Sequence, residues 1–446
     1  MAYSEDTAIL KISAENKTLV DLSIDSFSDV LNYCTSADEF MVVSPLVHNN
    51  NFFYLHKENL GQDVKDLVSQ VDNPQKHLDT FETYITYRVV TNSSRKEYSE
   101  TRYEVHRRYS DFLWLRMKLI NEYPTFIVPP LPEKHTLLAQ LDRYSRDFIL
   151  CRMVLLNSYI NRIVNHPIIS YHSSVHLFLT AKPMEFSFHR KKSTSIIEKV
   201  TGPLQQLATG YKSRNHEPEF KKIEEYVNVL TYKLSNLVRI GDRIYKERKD
   251  YCEELQQLKP VLLNWAKIES YLHSPLHCIA TMIETCSTSL HINLIQQFHS
   301  NFSQPIKEYE LYIDAVKEAL NRRDALQLDY ELSVEEMGKK KIERNNLTEN
   351  SSIISSRFNL WKSATDRLSR ENKLDRLNLT IPDLNKTVEL KHDNLEIGNE
   401  ELRADIGRWK FEEKNDLKHV LYNLAEQHIQ YYKECLEAWE KVLPFP

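Results

Sequence analysis

The C-terminal half of the chain carries an apolar stripe that runs for about five heptads. Apolar side chains step by threes and fours from Phe220 to Leu258, and only Gly241 and Arg248 interrupt that seam. This spacing predicts a long amphipathic helix of the coiled-coil type. Pro260 is expected to kink or interrupt the helix because proline removes a backbone donor.

Two further long helices follow the first. The second is predicted from about Leu276 to Arg344, with a kink at Pro305 and a loop over 345–356. The third begins at Val388, where large apolar residues fall at seven-residue intervals, and it continues to the C-terminus. Helices of about 40–70 residues would be about 60–100 Å long. Rods of that length bury their stripes by packing lengthwise on each other and on a second chain.

The scarcity of glycine agrees with a helix-rich fold. The 446 residues include 7 glycines, whereas an average chain of this length would have roughly thirty. No glycines are spaced as in GxGxxG or GxxxxGK[ST], so a common nucleotide-binding loop and a turn-dense all-β fold are excluded. The net charge of −5 argues against bulk nucleic-acid binding.

Other classes of site find little support. The cysteines are scattered without a CxxC pair, which indicates reduced thiols. We predict no catalytic residue, metal or cofactor, and we interpret the many carboxylates along the helices as solvating. The N-terminus lacks an apolar signal segment, and no apolar run reaches the length of a membrane span, so neither is expected.

The residue pattern of the N-terminal half of the chain differs from that of the C-terminal half. Residues 1–78 are acidic and weakly patterned, and we predict that they are disordered. From Thr80 the residues alternate as in a β-strand, and a turn at 92–96 leads to a second strand over 98–108. A helix, an exposed proline-rich loop and two more helices complete an α+β unit. The first helix carries apolar residues from Phe112 to Ile120, the loop is Val128–Lys134, and the last two helices are Arg143–Asn165 and Ser170–Thr180.

Three cations and a tyrosine from different segments of this unit could converge on one anion. Arg108 ends the second strand and Tyr109 follows it. Lys134 ends the proline-rich loop, and Arg152 lies on the following helix. Arginine gives phosphate bidentate charged hydrogen bonds, lysine adds a point charge, and an aromatic ring stacks on a sugar or inositol ring. The alternative is that each is a solvated surface charge.

The motifs RRYSDF, PPLPEK and FILCRMVLLNSYINRIVNHP occur in the order found in phox-homology (PX) domains, so residues 79–182 resemble that family. The resemblance implies binding of phosphatidylinositol 3-phosphate. It implies that Arg108 contacts the 3-phosphate, Tyr109 packs under the inositol ring and Lys134 contacts the 1-phosphate. Arg152 would bind hydroxyls or phosphate on the far side of the ring.

A PX domain followed by long helices resembles the sorting nexins that carry a C-terminal BAR domain. RIYKERKDY and AEQHIQYYKECLEAWE are most similar to the subgroup of sorting nexins seven and thirty. The implied fold is an α+β PX domain, with a small antiparallel sheet plus helices, followed by an all-α three-helix BAR domain at 217–446. Such BAR domains dimerise into a crescent.

Two basic segments are further candidates for membrane contact. In the linker, 183–216, relatives of this type insert an amphipathic helix, although Gly202-Pro203 would interrupt such a helix and a flexible linker is the alternative. The other segment lies at the break between the second and third helices, which is the tip of a BAR domain. The candidate residues are Lys191, Lys192, Ile196 and Ile197 in the linker, and Lys340, Lys341 and Arg344 at the tip.

The resemblance implies a non-enzymatic adaptor on the cytosolic face of early endosomes. Such a protein binds phosphatidylinositol 3-phosphate, forms a homodimer or a heterodimer with a sorting nexin four-like partner, and senses or shapes curved membrane in sorting, recycling and autophagy. Two alternatives stay open: a coiled-coil scaffold whose PX domain mainly binds protein, and a PX-bearing enzyme. The second would require a catalytic motif, and we find none in the sequence.

Overall fold

The structure is a computed structural model that describes residues 65–78, 83–132, 145–190, 217–354 and 364–443. All of these residues belong to one compact unit of the chain. We call residues 65–190 the sheet domain and residues 217–443 the helical domain. The elements are β1 Leu67–Leu78, β2 Thr83–Ser93, β3 Arg102–Arg108, α1 Tyr109–Glu122, α2 Arg146–Asn165, α3 Ser173–Thr180, α4 183–190, α5 Pro218–Ile268, α6 His273–Ser289, α7 Gln304–Ile354 and α8 Ala364–Glu440.

The sheet begins earlier than the sequence predicted. Strand β1 pairs antiparallel with β2, and β2 pairs with β3, in the order β1-β2-β3. The prediction that all of 1–78 is disordered is therefore wrong for the last twelve residues, Leu67–Leu78. A shift in register between Asp72 and Gln75, with Asn73 at a φ of 43°, breaks the alternation that would have identified the strand.

The three long helices, α5, α7 and α8, follow the predicted stripes but differ at their ends. Helix α5 continues through Pro260, so the interruption does not occur, while the kink that was the alternative stays a prediction. Helix α7 extends to Ile354 across most of the predicted loop. Helix α8 starts at Ala364 instead of Val388 and includes Pro382. At Pro260, the packing of Leu255 and Leu262 on either side overrides the local tendency of proline to end a helix.

The predicted kink at Pro305 corresponds to an irregular stretch just before it. Two π-helical segments, Leu290–Gln296 and His299–Ser303, connect α6 to α7. They bring Phe298 and Phe302 into the core of the helical domain, where they face Gly241 on α5. A Cβ atom at Gly241 would lie 3.2 Å from Phe302 Cε1, so glycine at this seam position lets the helices approach closely.

We expect Gly241→Val to lower the free energy of unfolding by about 1–3 kcal/mol because it overpacks this contact. Gly338, on α7, is the matched control, since an added Cβ there meets nothing within 4 Å. Gly338→Val should be neutral or slightly stabilising because valine is a better helix former than glycine. Urea unfolding of both variants measures the difference, and equal effects would show that the contact at Gly241 is not tight.

The sheet domain packs on the helical domain through buried charges. Arg162 on α2 donates from Nε to Glu308 Oε1 at 3.1 Å and from Nη1 to Asp416 Oδ2 at 3.0 Å. Its guanidinium also lies 4.5 Å from the centre of the Tyr312 ring. The interpretation of the helix carboxylates as solvating is therefore wrong for Glu308 and Asp416. Ion pairs hold the two domains together at this contact.

A second contact centres on Asp405 of α8. Its Oδ2 accepts from the backbone N–H of Ile127 at 2.7 Å, and its Oδ1 accepts from Arg408 Nε at 2.6 Å. His166 Nδ1 accepts from the N–H groups of Ile168 and Ile169, so Nε2 carries the proton and donates to Asp405 Oδ1 at 3.0 Å. This geometry requires a neutral imidazole and an ionised carboxylate.

The two pKa shifts agree with this assignment. Burial by itself would raise the pKa of Asp405, but Arg408 and His166 outweigh it and hold that pKa well below the usual range. Burial lowers the pKa of His166 despite the opposing effect of Asp405. A histidine with a lowered folded-state pKa stabilises the fold above its unfolded pKa of about 6.5 and loses that contribution as the pH falls.

We therefore expect the unfolding free energy of the wild type to decrease as the pH falls from 7.5 to 5.5. His166 takes up a proton in the unfolded chain but not in the folded chain. This difference makes the unfolding free energy fall by up to about 1.4 kcal/mol per pH unit once the pH is below about 6. His166→Asn lacks this proton uptake, so the stability gap between wild type and variant should narrow in acid. His419→Asn, at an exposed position on α8, is the control. A stability difference between wild type and His166→Asn that stays constant with pH would contradict a neutral His166 imidazole in the folded state.

Candidate functional site

The two arginines at the end of β3 have different environments. Arg107 is 1% exposed, and it donates to the backbone carbonyls of Phe178 at 2.9 Å and Ala181 at 2.6 Å. Burial lowers the pKa of Arg107 to about 10. Because successive residues of a strand point to opposite faces, Arg108 points away from this core and is half-exposed. Arg107 is thus a structural residue, and Arg108 is the one that can reach a ligand.

The first turn of α1 fixes the backbone next to Arg108. The carboxylate of Asp111 accepts from the Arg108 N–H at 2.9 Å, which satisfies a donor at the helix start. Arg190 of α4 donates to the same carboxylate at 2.8 Å and lies 3.3 Å from Ser110 Oγ. The Arg108 guanidinium lies 5.9 Å from the centre of the Tyr84 ring. Together these contacts orient the end of the strand.

Tyr109 connects α1 to the proline-rich loop and to α2. Its hydroxyl donates to the carbonyl of Pro132. The guanidinium of Arg152 lies 4.3 Å from the centre of the Tyr109 ring and 4.5 Å from that of Phe148. Two aromatic rings beside one guanidinium form a cation–π arrangement that fixes the orientation of Arg152. Tyr109 and Arg152, which come from different elements, are thereby brought together.

Arg152 is 8% exposed, and burial lowers its pKa. An arginine in such surroundings stays charged near neutral pH, because its ordinary pKa lies far above 7. A charge held in a poorly solvated position interacts more strongly with an anion than a solvated charge does. The arrangement suits an anionic ligand that reaches both Arg108 and Arg152.

Arg108 ends β3, Tyr109 follows it at the start of α1, and Arg152 of α2 contacts the Tyr109 ring. Arg108, Tyr109 and Arg152 are described, and Lys134 lies outside the described residues. The sequence did not identify Tyr84 and Phe148 as neighbours of the two arginines, because aromatic residues on a predicted strand or helix are typical of a hydrophobic core. It also treated Arg190 as part of a linker, whereas Arg190 binds Asp111.

The predicted membrane-contact residues are described only at the end of α7. Lys340, Lys341 and Arg344 all lie on this helix, and Glu343 lies 3.5 Å from Lys340 Nζ and 2.7 Å from Lys373 Nζ. These pairings offset part of the positive charge of the segment. The linker candidates, Lys191, Lys192, Ile196 and Ile197, lie outside the described residues.

Within the part of the chain that the structure describes, no group of three or more His, Cys, Asp or Glu side chains is arranged to hold a metal ion. No described helix is both long enough and apolar enough to cross a membrane.

Comparison with known proteins identifies the class. Residues 95–182 match the family described as the PX domain, and residues 193–444 match the family described as Vps5 C terminal like. The chain therefore belongs to the sorting nexins that combine a PX domain with a BAR-like domain, a membrane-associated class. Neither matched domain is a catalytic domain.

The relatives agree with this class. The chain is 34% identical to sorting nexin-30 of Xenopus tropicalis over 387 residues, which are 87% of this chain and 78% of the relative. It is 32% identical to sorting nexin-7 of Mus musculus over 409 residues, or 92% and 95% of the two chains. The predicted family and its subgroup are thereby confirmed.

A solved structure supports the fold. The cryo-EM structure of the SNX-BAR Mvp1 tetramer matches with a TM-score of 0.54 at 16% identity, covering 84% of this chain and 99% of that chain. The match confirms the predicted fold class, in which a small antiparallel sheet with helices precedes a long helical domain. We now call the sheet domain the PX domain and the helical domain the BAR-like domain.

Proposed function

We propose that this sorting nexin is an adaptor that binds phosphatidylinositol 3-phosphate on the cytosolic face of early endosomes, without enzymatic activity. The observation that carries this proposal is the contact of the Arg152 guanidinium of α2 with the ring of Tyr109, which directly follows Arg108 at the end of β3. These residue types suit a phosphorylated inositol ring, since two guanidiniums supply charged hydrogen bonds and a tyrosine ring supplies a flat apolar surface.

In the proposed complex Arg108 forms a bidentate contact with the 3-phosphate, and Arg152 binds the far side of the inositol ring. Lys134 contacts the 1-phosphate, which joins the ring to the lipid. The Arg152 guanidinium already lies over one face of the Tyr109 ring, so the inositol ring would pack on the other face. Each charged hydrogen bond contributes about 1.5–3 kcal/mol.

A single headgroup site gives modest membrane residence, and linked sites gain effective concentration. We propose that the BAR-like domain supplies the linkage by dimerising, either with a second copy or with a sorting nexin four-like partner. The C-terminal part of α8 exposes large apolar side chains that a dimer would bury: Tyr422, Ile429, Tyr432, Leu436 and Trp439. The dimer would place two PX domains and the basic segments at Lys340, Lys341 and Arg344 on one curved membrane.

Mass photometry of the purified chain, alone and with the partner, tests the dimer. We expect a dimer in at least one of the two samples. The double variant Tyr432→Glu/Trp439→Glu should abolish it, because glutamate in an apolar interface is left as a buried, unpaired charge. Leu379→Glu, at an exposed position near the other end of α8, should leave the dimer intact. A monomer in both samples would contradict this part of the proposal.

Localisation of a fluorescent fusion in cells tests the endosomal role. Wild type is expected on early endosomes and should leave them when a phosphatidylinositol 3-kinase inhibitor depletes the lipid. The competing scaffold function, in which the PX domain mainly binds protein, predicts endosomal fluorescence that survives the inhibitor. Roles in recycling and autophagy would follow from the same recruitment and belong to this proposal.

A further inference from the structure

A cavity of about 290 Å³ lies in the PX domain between the turn that precedes β3 and the start of α3. The turn contributes Arg95, Glu97 and Tyr98, and the segment that leads into α3 contributes Tyr171 and His176. We propose that this cavity binds an arginine side chain from a peptide of a partner protein. Its volume is that of a small ligand pocket and suits one large side chain.

The cavity and the candidate headgroup site lie at opposite ends of β3. Arg102 begins this strand directly after the turn, whereas Arg108 ends it about 20 Å away. A peptide in the cavity would therefore leave Arg108 accessible to a lipid headgroup. The proposal adds a protein-binding site to the PX domain, and it does not rest on the proposed lipid function.

Aromatic rings form much of the wall of the cavity. The centre of the Tyr98 ring lies 4.7 Å from that of the His176 ring. Tyr171 is 58% exposed, so part of its ring is accessible to a ligand. The Arg95 guanidinium already lies 4.0 Å from the centre of the Tyr171 ring, which shows that this environment accommodates a guanidinium stacked on an aromatic face.

The charges around the cavity favour a cation as the ligand. Arg95 donates from Nε and Nη2 to the two oxygens of Asp66 and from Nη1 to Ser170, so all three of its guanidinium nitrogens are engaged and Asp66 neutralises its charge. Glu97 is exposed and takes part in none of the ion pairs formed within the described part of the chain. The net charge of these three ionised side chains is negative.

An arginine side chain suits both features of the cavity. Its planar guanidinium can stack on an aromatic ring and donate to a carboxylate such as Glu97 at the same time. An apolar side chain would contact the rings but would leave Glu97 unused. An anion would meet Glu97 and an arginine that is already neutralised.

Saturation-transfer NMR of the full chain tests the proposal with three short peptides. Each is an acetylated, amidated pentapeptide of glycine whose central residue is arginine, citrulline or phenylalanine. Citrulline has nearly the shape of arginine without its charge, and phenylalanine represents an apolar ligand. We expect the arginine peptide to bind at least about threefold more tightly than the other two, because only its side chain makes a cation–π contact and a charged hydrogen bond.

Variants of the cavity locate the binding site. Glu97→Gln should weaken binding of the arginine peptide at least about threefold and should leave the citrulline peptide within about twofold of wild type. Glu100→Gln is the matched control, since it makes the same change in charge on the same turn at a residue that does not line the cavity, and it should have no effect. Tyr171→Leu keeps an apolar side chain but removes the ring, and it should weaken the arginine peptide as well.

The outcomes that overturn the proposal are distinct. Equal binding of the arginine and citrulline peptides, or equal effects of Glu97→Gln and Glu100→Gln, would remove the cation site. Tightest binding of the phenylalanine peptide would replace it with an apolar one. Saturating dibutanoyl phosphatidylinositol 3-phosphate should leave the arginine peptide bound, and displacement would contradict two separate sites. If wild type binds no lipid, the proposed lipid function fails, and the peptide measurements still decide the role of the cavity.

Discussion

Arg108→Ala is expected to abolish binding to vesicles that contain phosphatidylinositol 3-phosphate. Arg108 is the half-exposed arginine of the β3 end, and a bidentate phosphate contact supplies two charged hydrogen bonds. At about 1.5–3 kcal/mol for each bond, the loss corresponds to at least about a hundredfold in affinity. Vesicle co-sedimentation over a range of lipid concentrations measures the effect.

Arg102→Ala is the matched control for this variant. Arg102 is an exposed arginine at the other end of the same strand, so its replacement makes the same change in net charge. It pairs with Asn92, whereas Arg108 pairs with Thr86, and the six residue steps from Arg102 to Arg108 span about 20 Å of strand. Equal loss of binding in both variants would indicate general electrostatic attraction and would remove Arg108 from the proposed site.

Replacement of Arg162 should produce the largest loss of stability. Arg162→Met keeps most of the side-chain volume but leaves Glu308 and Asp416 without their cation in a buried contact. Breaking a buried ion pair from one side costs about 3–5 kcal/mol. Burial already raises the pKa of Asp416 despite the opposing effect of Arg162. Removal of the Arg162 charge would therefore destabilise the ionised form of this buried carboxylate further.

Arg116→Met provides the comparison. Arg116 also connects the PX domain to α7, through a 2.6 Å pair with Glu318, but this glutamate side chain is about half exposed. Exposed pairs typically contribute about 0–1 kcal/mol. Arg116 Nε also donates to the carbonyl of Pro129 at 3.1 Å, so this variant should lose no more than about 1–2 kcal/mol. The unfolding free energy of the first transition in urea measures the stability of both variants. A loss below about 1 kcal/mol for Arg162→Met would show that the buried ion pairs do not hold the domains together.

The sequence predicted the parts of the molecule that local patterns define. Arg108 and Tyr109 were identifiable because they end a strand in a motif, and α5 because its stripe is continuous. Strand β1 was not, since the bulge after Asp72 interrupts its alternation. Prolines proved to be weak indicators of helix ends, because packing along the stripes holds Pro260 within α5.

Contacts between the domains could not be predicted from the chain. Arg162 and Glu308 are 146 residues apart in the sequence, and each resembles an ordinary charge on a helix surface. Their burial depends on how two separately patterned domains meet, which periodicity within one helix does not describe. Phe148 is a different case, because it lies four residues before Arg152 on α2 and helical spacing alone places the two side chains next to each other.

Isothermal titration of the full chain with soluble dibutanoyl phosphatidylinositol 3-, 4- and 5-phosphates tests the central claim most directly. If Arg108 holds the 3-phosphate while Arg152 holds the opposite side of the ring, moving the phosphate breaks at least one charged contact. We expect the 3-phosphate to bind at least about tenfold more tightly than the other two. Equal affinity for all three lipids, or no binding to any, would contradict the assignment of this site.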